Sequence, residues 1–166
     1  MSAAYFILAL VTLQRLGELV LARRNTRLLL ANGAYEASPG HYPLIVAVHG
    51  LWLIALWLLA PGRPIVWPLI ALFILLQLAR LWVLATLGKR WTTRIIVTPG
   101  APLVAGGPFR FVRHPNYLVV VLEIAVLPLA FGLWELAVIF SLLNAVVLAI
   151  RIRAEEKALA AAAPRA

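Results

Sequence analysis

Five long apolar stretches, separated by short basic segments, leave this chain few folds to choose from. They run from about Ala3 to Ala22, Pro43 to Leu59, Ile65 to Leu87, Pro115 to Phe131 and Leu133 to Ile152. Each approaches the ~20 residues a helix needs to cross ~30 Å of hydrocarbon. The last two together are about twice a crossing length, so a hairpin is expected at Phe131-Gly132. Of 166 residues, 64% are hydrophobic and 13% charged, whereas a soluble domain carries roughly 45–50% and 25%. One soluble core of this size cannot hide that surplus. The predicted fold is an all-α integral membrane protein of five transmembrane helices, one domain over residues 1–166, with a cytosolic loop at 88–114.

The polar residues orient those helices. Arg23, Arg24 and Arg27 follow the first span. Lys89, Arg90, Arg94, Arg110 and Arg113 follow the third, and Arg153, Lys157 and Arg165 lie in the tail. The turn at Pro61–Pro64 has only Arg63, and the one at Gly132 has no base. The positive-inside rule then places the N-terminus outside and the C-terminus in the cytosol, in the inner membrane if the cell is bacterial. The net charge of +9 is accounted for by these loops, so no nucleic-acid partner is expected. The first 22 residues lack a basic leader and contain Arg15 and Glu18, so they read as a retained helix and not a signal peptide. With no cysteine, thiolate chemistry is excluded, and no metal site is expected.

Charges within spans are costly, on the order of 2.5–3.5 kcal/mol on insertion scales, and tend to mark function or a buried pair. In the predicted orientation Arg15 and Glu18 on the first span, His49 on the second, Gln77 and Arg80 on the third, Glu123 on the fourth and Arg151 on the fifth all fall in the cytosolic half. Independent snorkelling would also populate the outer ends, where Glu135 is the one acid. The set therefore reads as a polar pocket on the cytosolic side. Helical spacing puts Asn144, Arg151 and Glu155 on one face, and Asn116, Val120 and Glu123 on another. An Arg15–Glu18 pair on its own helix is the structural alternative.

Gly107-Pro108-Phe109-Arg110-Phe111-Val112-Arg113-His114-Pro115-Asn116-Tyr117 leads directly into the fourth span. Pro115 suits a first helical turn, which leaves Arg113 and His114 at the positive end of a helix, a place for a carboxylate or phosphate. Arg110 and Arg113 could instead meet lipid headgroups. Beyond the fifth span, Glu155-Glu156 could hold an ammonium or ribose hydroxyls. The loop before the motif contains Ile95-Ile96-Val97 and several Gly-Pro steps, consistent with a short turn or hairpin, or with a loop closing over a ligand.

The motif Gly107 to Tyr117, with Arg151 and Glu155-Glu156, resembles the isoprenylcysteine carboxyl methyltransferase family, best over about Leu87 to Lys157. Gln14-Arg15-Leu16-Gly17-Glu18, Arg24-Asn25, His41-Tyr42 and His49 are similar to a bacterial branch that methylates hydroxyls on long-chain polyketides such as alkylresorcinols and alkylpyrones. The resemblance implies S-adenosylmethionine as methyl donor, bound by Arg113, His114, Tyr117, Glu155 and Glu156, and a lipophilic acceptor arriving from the bilayer. Arg15, Glu18, His41 and Arg80 are expected to face the acceptor, with His49, Glu123 and Arg151 as the catalytic group. A carboxylate acceptor needs no base. A phenol or enol gains from one, for which His41, His49 and Glu123 are candidates and His49 is chosen. Among methyl acceptors a polyketide-lipid hydroxyl comes first, an isoprenylcysteine carboxylate second and a phospholipid amine third. Two rivals stand outside methyl transfer: an NADPH-dependent sterol-type reductase sharing the Arg-His-Pro-x-Tyr stretch, and a non-enzymatic lipid-binding subunit. Oligomeric state is not legible.

Overall fold

The apolar runs become helices in a computed structural model that describes residues 3–162. Helix α1 spans Ala3–Ala31, α2 Tyr42–Leu59, α3 Trp67–Leu87, α4 Pro115–Ala130 and α5 Trp134–Ala162. Helices α1, α2, α3 (carried on to Arg90) and α5 are each long and apolar enough to cross a membrane, while α4 has 16 residues. Phe6, Leu13, Leu58, Leu75 and Leu142 lie exposed on the outside of the bundle. In water these would be a liability, and against acyl chains they are not. The protein is an integral membrane protein built of helices.

Helices α1 and α5 outrun the spans expected for them, each reaching 29 residues. At 1.5 Å per residue that is about 43 Å, longer than the hydrocarbon layer. The extension of α1 is pinned by a buried side chain. Asn25 Nδ2 donates to the carbonyls of Gly88 (3.2 Å) and Trp91 (2.9 Å) at the end of α3. Ala22, Val83 and Trp91 pack beside it.

The main apolar core occupies one half of the bundle. It includes Leu8 of α1, Leu56 of α2, Phe73 of α3, Leu127 of α4 and Phe140 of α5. These come from the helix halves farthest from the basic segments, as the depth pattern of polar residues implied. The α4–α5 hairpin turns where expected. Gly132 adopts φ +68, a conformation open to glycine at little cost, and Leu133 N–H bonds the Pro128 carbonyl at 3.0 Å.

Pro128 lies inside α4 and cannot donate to the Ile124 carbonyl one turn back. That orphaned acceptor is taken by Trp52 of α2, whose Nε1 donates to it at 3.2 Å with the indole fully buried. The loop Gly88 to His114 differs from the expected hairpin. Its strand β2 (Ile96–Val97) pairs antiparallel with β1 (Tyr35–Glu36) from the α1–α2 linker. Arg94 fastens the same contact, bonding Glu36 at 2.9 Å and lying 4.6 Å from the Tyr42 ring centroid.

Candidate active site

Two polar assemblies occupy the half of the bundle opposite the core. In the first, Arg80 of α3 donates from Nε and Nη2 to both oxygens of Glu18 on α1, at 2.6 and 2.7 Å. Its Nη1 reaches Glu123 of α4 at 3.0 Å, and Arg15 Nη2 reaches the same Glu123 oxygen at 2.7 Å. Gln77 Nε2 donates to the other Glu123 oxygen at 2.8 Å. Gln14 donates to Gln77 and to Glu18, at 2.7 and 3.0 Å. Two guanidinium cations thus meet two carboxylates, and the group is neutral. The Arg15–Glu18 pair of one helix, the structural alternative above, is present but is the longest link at 3.3 Å. A buried pair of this kind offsets its desolvation only with further hydrogen bonds to its charged atoms, and here each of the four carboxylate oxygens accepts at least one.

This geometry changes the reading of Glu123. It is 1% exposed, accepts from Arg15, Arg80 and Gln77 through both oxygens, and lines neither of the cavities described below. Arg15, Glu18 and Arg80 do border the larger cavity described next, as its wall.

That cavity, of about 280 Å³, lies between α1, α2, α4 and α5. Apolar groups such as Leu16, Val46, Leu53, Val120 and Leu148 make most of its surface, and His49 joins them. A second, more polar cavity of about 160 Å³ sits below it, among the end of α3, the loop with β2, the start of α4 and the extension of α5. Trp91, Thr92, Asn116, Tyr117 and Arg151 line both. The two spaces therefore meet across one shared wall.

The second polar assembly is that wall and the floor beneath it. Arg151 Nε donates to the Tyr117 hydroxyl at 2.9 Å, and its Nη1 to the Thr93 carbonyl at 2.8 Å. The Tyr117 hydroxyl in turn donates to Glu155. His114, the residue preceding α4, stacks on Tyr117 with centroids 5.3 Å apart. Gly107, at φ +55, packs so tightly on Thr86 that a Cβ would collide with its side chain, which ties the motif's first residue to α3.

Of the five residues expected at the donor, His114, Tyr117 and Glu155 line the polar cavity. Arg113 is 79% exposed and pairs with Glu156 at 3.3 Å, and neither lines it. Arg90 and Arg94 do, and sequence reasoning missed them, together with Trp91 and Thr92. A Lys-Arg-Trp-Thr-Thr step has no spacing that would have marked it. The helix faces fared better: Asn144 and Arg151 line the apolar cavity, and Arg151 and Glu155 the polar one. His41 ends the turn Pro39–His41, and its side chain lies outside the described residues.

Among the described residues, three side-chain polar atoms are buried without a hydrogen-bond partner: Trp91 Nε1, His114 Nε2 and Asn116 Oδ1. All three residues line the polar cavity. Glu156 is 3.8 Å from His114 Nε2, too far for a bond. Unpaired buried groups are few in native proteins and each calls for a reason. The Trp91 donor, the Asn116 acceptor and the His114 ring nitrogen around one space, with Glu155 beside them, fit a ligand bearing a carboxylate, an ammonium and ribose hydroxyls.

Within a bundle of membrane-length helices, a polar cavity thus shares part of its wall with an apolar one. The chain belongs to the isoprenylcysteine carboxyl methyltransferase (ICMT) family, whose model matches residues 69–161. It is also 41% identical over 160 residues to the uncharacterized protein YpbQ of Bacillus subtilis (strain 168), covering 93% of this chain and 95% of that one. No solved structure matches it.

Proposed function

We propose that the protein transfers a methyl group from S-adenosylmethionine to a hydroxyl on a membrane-dissolved lipid of the polyketide type. The carrying observation is the shared wall: Trp91, His114 and Asn116, the described residues with an unpartnered buried side-chain atom, all line the polar chamber, and five residues line both that chamber and the apolar one. In this reading His114, Trp91, Asn116 and Glu155 hold the donor, and Arg151 fixes Tyr117 between donor and acceptor. Arg113 and Glu156 guard the rim. The donor, when bound, supplies an electrophilic methyl group. The chain supplies alignment and exclusion of water, which dominate the barrier of an in-line displacement. Tyr117 and Glu155 now satisfy each other, so donor binding exchanges that bond for bonds to ligand.

The N-terminus is proposed to face outward and both chambers the cytosolic half, because the basic segments all gather at the polar end. Helix α4 serves as the fifth span, its ~24 Å completed by the Phe131–Leu133 turn. Arg15, Glu18 and Arg80 act as part of the acceptor chamber's wall, and Glu123 as the anchor behind it.

Radiolabelled methyl transfer in nanodiscs tests this, with hydroxyl-bearing polyketide lipids, prenylated cysteine carboxylates and phospholipid amines offered in turn. Labelled hydroxyl lipid is expected. Preferred labelling of the carboxylate would move the substrate assignment. No transfer to any class, with NADPH oxidation on an unsaturated lipid, would replace the assignment by a reductase.

A further inference from the structure

Within the apolar chamber one nitrogen has a defined state. His49 Nδ1 lies 2.8 Å from the Ile45 carbonyl oxygen, one turn back on α2. A carbonyl only accepts, so in this bond Nδ1 carries the proton. In the neutral ring the lone pair is then on Nε2, which makes no hydrogen bond among the described residues. The ring lines the apolar chamber. The charged and titratable groups bordering that space are Arg15 and Glu18 from α1, Tyr42 from α2, Arg80 from α3, Tyr117 from α4 and Arg151 from α5. Glu18 is taken up by arginine and Tyr117 by Arg151 and Glu155. Tyr42 pairs with Thr93 at 3.2 Å. Guanidinium groups cannot accept a proton.

We infer that His49 Nε2 is the general base that accepts the acceptor's hydroxyl proton, and that the chamber is therefore built for a weakly acidic hydroxyl, a phenol or enol, in preference to a carboxylate. This rests on the methyltransferase reading above. As the acceptor O–H bond breaks, its proton passes to Nε2. An oxygen electron pair forms the new O–C bond to the donor methyl, and the C–S bonding pair stays on sulfur. The sulfonium's positive charge ends as imidazolium, and the products are a methyl ether and a neutral thioether. A carboxylate arrives already ionised and would draw nothing from Nε2.

The test uses His49→Asn, which keeps an N–H near the Ile45 carbonyl and removes the base, with His49→Gln as a second variant. Titration with S-adenosylhomocysteine checks that each variant still binds the donor site. Long-chain phenols are compared across ring pKa, from ~10 for an unsubstituted phenol down to nitrophenols ionised at neutral pH. On the least acidic phenol the variants are expected to lose ~10²- to 10⁴-fold, the range of general-base catalysis. The loss should shrink to within about tenfold on the pre-ionised ones. Without any donor, and at a pH below the phenol's own pKa, a bound alkyl-nitrophenol should show a larger phenolate absorbance with wild type than with His49→Asn. Equal losses across the series, or identical spectra, would overturn the proposal. Wild type that binds S-adenosylhomocysteine yet methylates only carboxylates would overturn it too, leaving the methyltransferase reading intact. Failure of wild type to bind S-adenosylhomocysteine would instead remove that reading and the proposal with it.

Discussion

The two polar assemblies both combine arginine with glutamate and differ in closure. Around Arg80, two cations, two carboxylates and two amides answer one another, and three helices are locked together. Around Tyr117, Arg151 and Glu155 are bonded while Trp91, His114 and Asn116 each keep a buried atom unanswered. A closed network in an apolar medium contributes to architecture. An open one beside a cavity is arranged for something that is not protein. An ionisable residue within a span is thus an incomplete signal for a site until its partners are counted.

The comparison breaks most visibly at Glu123. Glu123→Ala leaves Arg15, Arg80 and Gln77 facing an uncompensated buried gap, and is expected to cost ~3–5 kcal/mol. Thermal unfolding in detergent should show it, as a large drop in melting temperature. At the open assembly the order reverses. Glu155→Gln and His114→Ala should weaken S-adenosylhomocysteine binding by at least ~10-fold, since hydrogen bonds to charged groups contribute about 1.5–3 kcal/mol each. The melting temperature of the unliganded protein should barely move. A smaller effect belongs to the apolar half. Trp52→Phe strips the Ile124 carbonyl of its donor and should cost about 1–3 kcal/mol, read as a lower melting temperature with donor affinity unchanged. Arg63→Ala, exposed on the basic-poor side, should change neither quantity.

How far the sequence carried the account follows from what each inference required. Span positions depend on local composition, and the α4–α5 hairpin and the gathering of the charged residues in one half of the bundle came through. The ends of α1 and α5 did not, because Asn25's grip on Gly88 and Trp91 crosses 63 and 66 residues. The partners of Glu123 lie out of reach for a similar reason. Depth is a property of one helix, but pairing with Arg15, Arg80 and Gln77 depends on how three helices rotate against each other. That His114, Tyr117 and Glu155 gather around one cavity was legible because a motif and a helix start pointed to them together. Trp91 and Thr92 sit in a loop whose partner strand lies in another linker, and no periodicity marks such residues.

The central claim is that the open assembly, and not the closed one, holds the methyl donor. Isothermal titration of S-adenosylhomocysteine into the nanodisc-embedded protein measures it directly, comparing wild type, His114→Ala and Gln14→Ala. Saturable 1:1 binding by wild type and Gln14→Ala, with weak or no binding by His114→Ala, is the predicted result. Wild-type affinity in His114→Ala, or a loss confined to Gln14→Ala, would contradict it.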